Sequence, residues 1–308
     1  MTDFAVLGFT LEDMWRSAKQ PVEQTVEPVD PLDSRFRSFG ARAFLVHNVL
    51  SEPECSFIIS QLSTGLEPFS SAGSEYRRCD RLSVRAPAIS ELIWSRLSGV
   101  RDMLRVHMRE DGGQSSEGSE AFGTCPDEIR LPYGKEGIWR PKQLNEVLRF
   151  CRYVPGGFFR AHCDSGLEVD SDEESLYTVM VYLDTDFEGG ATRFLEPDTP
   201  LGDTIKSNAP ASQVISTVRA PVGSCIVFYM PGFLHEGEEL VSGVKHILRT
   251  DMLFQRDADS KPERTEKEED AWRHLGIAQR AEAEKEFDKA IVHYKAAFKL
   301  EPRLEKLA

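Results

Sequence analysis

The sequence predicts a mainly β chain with flanking helices and a helical pair near its end. Short runs rich in β-branched and aromatic residues recur between residues 148 and 254. Clusters of Pro and Gly separate them, and beyond residue 270 the apolar positions change to helical spacing. Several strands at such intervals, closed by such turns, indicate a sandwich or barrel.

The runs are Leu148 to Val154, Tyr177 to Leu183, Val214 to Val218, Ser224 to Tyr229 and Val244 to Phe254. The breaks are Pro155-Gly156-Gly157, Gly189-Gly190, Pro221-Val222-Gly223 and Pro231-Gly232. Upstream, Ala43 to Leu50 is strand-like. Ser51-Glu52-Pro53-Glu54 then has the form of a capping box, in which the Ser accepts from the N3 amide and the N3 Glu reaches back. Cys55, Ile58, Ile59 and Leu62 follow at helical spacing, so 52–63 is expected to be a helix. Residues 1–40 read as an N-terminal arm, and Glu110 to Glu120 as a Gly/Ser/Glu loop. His107 falls in a stretch that reads as helical. A main domain over 41–256 is followed by a charged linker at 257–270. Residues 271–308 form two amphipathic helices, marked by Trp272, Leu275, Phe287, Ile291, Tyr294 and Phe298.

The chain has 308 residues, with 37 basic and 51 acidic side chains and a net charge of −14. Nucleic acids and anionic membranes select for basic excess, so neither is expected as a partner. No apolar stretch approaches the roughly 20 residues that span a bilayer. The first residues lack a basic n-region and an apolar h-region, so no signal peptide is read and a cytoplasmic or nuclear location is expected. Six scattered cysteines without a CxxC pair are then expected to be free thiols.

The chemistry concentrates in His162-Cys163-Asp164 and His235. In a strand, residues i and i+2 share a face, so His162 and Asp164 can converge on one metal. His235 follows the run Cys225 to Tyr229 and a Pro-Gly turn. Two imidazoles and one carboxylate leave three positions of an octahedral metal open, which suits non-haem Fe(II) better than a closed structural zinc. Lys245 then opens a strand whose inward face carries Lys245, Ile247, Arg249 and Asp251. A cation pointing into a barrel is costly unless an anion meets it. A dicarboxylic co-substrate chelating the metal at one end and paired with Lys245 at the other satisfies that need.

His162-x-Asp164, His235 and Lys245 together resemble the signature of Fe(II)/2-oxoglutarate-dependent dioxygenases, in the prolyl 4-hydroxylase-like branch. Tyr153-Val-Pro-Gly-Gly-Phe-Phe-Arg-Ala-His162 is similar to the lead-in of that branch. Tyr182 to Phe194 is similar to its central hairpin, Pro221 to Phe228 to the strand before the distal His, and Phe44 to Leu62 to its first strand and helix. The resemblance covers about 40–256. It implies a double-stranded β-helix (jelly-roll) core with iron on His162, Asp164 and His235. It further implies 2-oxoglutarate on Lys245 with help from Tyr153, O2 as second co-substrate, succinate and CO2 as products, and ascorbate as a reductant. Arg249, on the same face, is the rival to Lys245. Phe159 and Ala161 stand where collagen-type enzymes often have Tyr and Pro.

Other features stay open at this level. Asn145, Glu146 and Arg149 are substrate contacts or surface groups. Glu168 to Glu174 is a lid for a basic peptide or a solvated loop. Cys163 is expected to be a packed thiol, His246 to point outward, and His47, His107, His274 and His293 to be structural or exposed. The C-terminal pair resembles one tetratricopeptide hairpin, which packs on the core or binds a protein partner. The expected activity is hydroxylation of a prolyl or other protein side chain. A free amino acid or other small molecule is the alternative substrate. A non-catalytic jelly-roll scaffold recruiting partners through its C-terminal helices is the reading from another class.

Overall fold

A computed structural model describes residues 5–6, 24–28, 43–69, 76–108, 135–201, 207–231, 233–261, 263–283 and 286–307. Most of the arm at 1–40, the loop at 110–120, Cys125 and Gly232 lie outside the described residues. The core is a jelly roll. One face runs through strands Val147–Tyr153, Lys245–Arg256, Glu173–Tyr182 and Cys225–Tyr229, and continues to Ala43–Val46. The other runs through Phe158–His162, His235–Gly237, Thr192–Leu195 and Val214–Val218. Neighbours are antiparallel throughout. From Val147 onward these strands alternate between the faces except at Thr192–Leu195 and Val214–Val218, where consecutive strands pair. Strand Arg77–Arg85 ties the two faces together, pairing with Phe158 and Phe159 at one end and with Val147 to Arg152 along the rest.

The strands formed by the predicted runs differ from them by a few residues at their ends. Cys225–Tyr229 is buried along its whole length, and so is nearly all of Glu173–Tyr182. Such continuous burial requires cover on both sheet faces. The cover comes from helices Glu52–Leu62 and Pro87–Arg96, whose Ile58, Leu62, Ile89, Leu92 and Ile93 share one core cluster with Tyr177, Phe150, Phe228 and Phe254. The first helix has the expected cap. Ser51 N donates to Glu54 Oε2 at 2.8 Å, and Glu54 N donates to Ser51 Oγ at 3.4 Å. Arg96 adds a two-pronged pair to the Glu54 carboxylate at 2.7 and 2.8 Å. Burial alone would raise the Glu54 pKa, but Arg96 and the Ser51 amide bring it below the ordinary value.

The Pro221-Val222-Gly223 break is a tight turn. Ser224 N donates to Pro221 O at 3.1 Å, and Gly223 has φ +73°. That φ selects glycine at the third position of the turn. A Cβ there would lie 1.8 Å from the Leu50 carbonyl oxygen, so the turn also seats the first helix against the barrel.

Several expectations are corrected. His107 is in a strand, Val106–Met108, because its neighbours pair with Trp139 and Gly137. The acidic run 168–174 is neither a lid nor a free loop. It forms the turn between strands Glu168–Asp170 and Glu173–Tyr182, and four of its five acids are matched by cations. Glu168 and Glu174 face Lys135, Glu173 faces Lys142, and Asp172 faces Arg256 and Lys261. His246 is buried, with its ring on the Asp184 carboxylate. Cys163 is disulfide-bonded, not a packed thiol, whereas Cys55, Cys79, Cys151 and Cys225 are free. In the arm, Ala5–Val6 pairs with the Arg77–Arg85 strand and Val26–Pro28 with Ala43–Val46.

Helix Glu266–Ala283 starts inside the charged linker stretch. Thr265 and Glu268 form a second capping box there, at 3.3 and 2.9 Å. This helix, Phe287–Leu300 and the turn Pro302–Leu307 share a small core of Ala271, Trp272, Leu275, Ala297 and Leu304. Phe287, Ile291 and Val292 stay exposed. No helix among the described residues is long and apolar enough to cross a membrane.

Candidate active site

The barrel brings the three sequence-predicted donors together. His162 and His235 are direct cross-strand partners. The strand ends at His162, so Asp164 reaches the site from the loop just beyond it and not from the same strand face. One donor atom of each residue lies within 4.8 Å of the others. Asp164 Oδ1 is 3.5 Å from His162 Nε2, and its Oδ2 is 3.6 Å from His235 Nε2.

Hydrogen bonds fix which atoms face inward. His162 Nδ1 lies 2.7 Å from Arg160 O, and His235 Nδ1 lies 2.8 Å from Phe233 O. A carbonyl only accepts, so each Nδ1 carries the proton and each Nε2 turns a lone pair to the centre. Burial, and then the His162 ring, lower the His235 pKa to about 4, so this imidazole is neutral and able to ligate at neutral pH. Burial alone would raise the Asp164 pKa. Arg249, His235 and His162 overcome that and hold it well below the usual carboxylate range.

Lys245 lines the same cavity as the triad, together with Tyr153, Thr192, Ile247 and Arg249. It is 4% exposed and sits directly across from Tyr153 on the adjacent strand. Its Nζ donates to Gly190 O at 2.6 Å and lies 5.6 Å from the ring centres of both Tyr153 and Tyr182. No carboxylate pairs with it among the described residues. Burial lowers its pKa to about 8, with Asp184 opposing.

Residues 148–250 match the family model described as the 2OG-Fe(II) oxygenase superfamily. This segment is a 2OG-Fe(II) oxygenase domain. Its cofactor and co-substrates are Fe(II), 2-oxoglutarate and O2, and the enzyme is a dioxygenase. Among solved structures, the chain is similar to a viral collagen prolyl hydroxylase from Paramecium Bursaria Chlorella virus-1, at 19% identity over 69% of this chain and 96% of that one, with a TM-score of 0.38. It is also similar to a Pseudomonas putida prolyl-4-hydroxylase, at 16% identity over 72% and 96%, with a TM-score of 0.42. A third is a prolyl hydroxylase from Trichoplax adhaerens in complex with a hypoxia inducible factor peptide fragment, at 11% identity over 73% and 87%, with a TM-score of 0.41. No curated protein matches the sequence.

The donor set of the oxygenase domain fits Fe(II). Two imidazoles and one ionised carboxylate converge in a buried cavity, and a cation with no acid partner among the described residues lines the same cavity. Arg249 also faces inward, but its Nη2 lies 3.0 Å from Asp164 Oδ1 and 3.5 Å from Asp251 Oδ1. Thr178 Oγ1 donates to the other Asp164 oxygen at 2.6 Å. Phe159 stacks on His162, with ring centres 3.5 Å apart. Of the outer-strand candidates only Arg149 lines the cavity, and it pairs with Asp251 at 3.0 Å. Glu146 pairs with Arg85, and Asn145 Oδ1 accepts from Val147 N.

Sequence reasoning missed Arg77, Cys151, Thr178, Met180, Thr192 and Phe228, all of which line the cavity. A signal existed for some of them. Cys151 and Tyr153 alternate along one strand, as do Thr178 and Met180 along another, and period 2 marks one face. Arg77 had none, because its strand was not read at all.

Proposed function

We propose that the oxygenase domain hydroxylates a C–H bond, with Fe(II) on His162, Asp164 and His235 and with 2-oxoglutarate anchored by Lys245. The observation that carries this is the triad and a buried lysine without an acid partner in one cavity. Iron held by these three residues would supply the coupling of 2-oxoglutarate decarboxylation to C–H hydroxylation. Lys245 binds the distal carboxylate of 2-oxoglutarate, and the Tyr153 phenol across from it completes that end. Burial raises the Tyr153 pKa, so the phenol stays protonated and able to donate. Arg249 and Thr178 hold the Asp164 carboxylate in place. The apolar groups Phe159, Met180, Phe228 and Ile247 exclude water from the walls.

The substrate is a prolyl or other side chain of a protein, or a free small molecule. Four of the five acids in the run that would attract a basic peptide already pair with cations of this chain, so charge gives little preference for a macromolecule. The reaction is tested by incubating the purified protein with Fe(II) and 2-oxoglutarate. Slow succinate release without substrate is expected, with loss in His162→Ala and Asp164→Ala. Absence of both turnover and iron binding would overturn the proposal. A gain of one oxygen atom, sought in peptide and metabolite mixtures, identifies the substrate.

A further inference from the structure

Two free thiols lie side by side at the cavity, one of them in its wall. Cys151 lines it beside Tyr153, Phe159 and the triad. Cys79 is on the neighbouring strand Arg77–Arg85, in which Arg81 is the register partner of Cys151. Cys79 is two residues from Arg81, so both sulfurs lie on the same sheet face. A single buried guanidinium joins them. Arg77 Nε donates to Cys79 Sγ at 3.2 Å, and Arg77 Nη2 donates to Cys151 Sγ at 3.1 Å. Those two nitrogens share one carbon, so the sulfurs are held as close neighbours. No carboxylate pairs with Arg77 among the described residues, and its guanidinium stacks 4.3 Å from the Phe159 ring centre. Phe159 in turn stacks on His162. The Arg77 charge favours a thiolate on this sulfur pair, against the burial of both thiols. Two thiols that share one buried cation are in a setting that favours thiolate formation and, through it, a disulfide.

We propose that Cys79 and Cys151 are an internal reductant of the oxygenase, consuming the oxidising equivalent of a turnover that finds no substrate. This rests on the function proposed above. The balanced step is 2-oxoglutarate plus O2 plus two thiols giving succinate, CO2, water and one disulfide. O2 accepts four electrons, two from the decarboxylation and two from the dithiol. The S–S bond forms, both S–H bonds break, and the two protons leave with one oxygen atom as water. A thiol reductant returns the pair. Cys55 and Cys225 are buried away from the cavity and are the internal controls.

The test uses full-length protein with the Cys163 disulfide intact and Cys79 and Cys151 confirmed as thiols by mass mapping, desalted free of thiols and ascorbate, with Fe(II), 2-oxoglutarate and air. Succinate is measured alongside non-reducing peptide mass mapping. The expected result is about one Cys79–Cys151 disulfide per chain, formed with the first equivalent of succinate, with Cys55 and Cys225 unchanged. Cys79→Ser and Cys151→Ser, checked for folding by circular dichroism, should each lower the succinate formed before inactivation by about threefold or more, with no recovery on adding dithiothreitol. Wild type should recover. Succinate release without the disulfide overturns the inference and leaves the proposed function standing. So does a disulfide that forms equally fast without 2-oxoglutarate or in His162→Ala. No succinate under any condition removes the proposed function, and the inference with it.

Discussion

Lys245 lies directly across from Tyr153 in the antiparallel pairing of the barrel's longest strand with its neighbour. The pairing sets the ammonium among aromatic rings, and among the described residues its one hydrogen-bond partner is the carbonyl of Gly190. A buried cation in this position costs stability until an anion arrives.

Lys245→Ala should raise the 2-oxoglutarate concentration for half-maximal succinate release about 100-fold, the usual scale for truncating one member of a buried charge pair. Iron binding should be unchanged. Equilibrium dialysis of both ligands separates the two effects. An equal loss of iron would contradict the assignment.

The lowered pKa of Lys245 gives a pH dependence whose sign is fixed. Its folded pKa, about 8, lies below the ordinary lysine value, so the charged form is disfavoured in the ligand-free protein. That protein should gain stability as pH rises from about 8 toward the ordinary range, because the buried charge is lost. The dianion needs the charged form. Affinity for 2-oxoglutarate should be level below about pH 8 and fall above it, approaching tenfold per pH unit. Calorimetric titration from pH 6.5 to 9.5 would measure this. Lys245→Arg should flatten the profile, because arginine stays charged.

Arg249 serves Asp164, and its effect should appear on the metal. Arg249→Gln leaves a ligating carboxylate short of one partner, a loss that typically weakens metal binding about 10- to 100-fold. The 2-oxoglutarate requirement at saturating iron should move little. A rise in that requirement without a change in metal affinity would instead make Arg249 the co-substrate anchor.

Gly223→Ala should destabilise the protein by about 3 kcal/mol or more, since it forces a side chain onto both a left-handed turn and the Leu50 carbonyl. Thermal unfolding of the variant measures it. Val222→Ala in the same turn is the control, and its loss should be far smaller.

Much of the site was legible because its parts are local patterns. The Tyr153 to His162 lead-in, the His-x-Asp pair and the spacing from His235 to Lys245 each sit on one stretch of chain. Of the inward face Lys245, Ile247, Arg249 and Asp251 read from period 2, the first three line the cavity, while Asp251 is buried against Arg149. Reading failed where a role depends on a distant partner. The acidic run 168–174 looked free because Lys135, Lys142, Arg256 and Lys261 are remote in sequence. Arg249 looked like a rival anchor because nothing in the strand reveals that Asp164 meets it.

The sequence by itself determined the strand runs and the turns between them, the capped helix, and the residue types able to hold a ferrous ion and a dianion. Periodicity and turn chemistry are properties of neighbouring residues, so they can be read along the chain. Only the tertiary structure decided that His162 faces His235, that Asp164 leans on Arg249 and Thr178, and that Arg77 joins Cys79 to Cys151. Those relations arise from cross-strand register and from burial, which the antiparallel closure of the barrel creates between segments far apart in sequence.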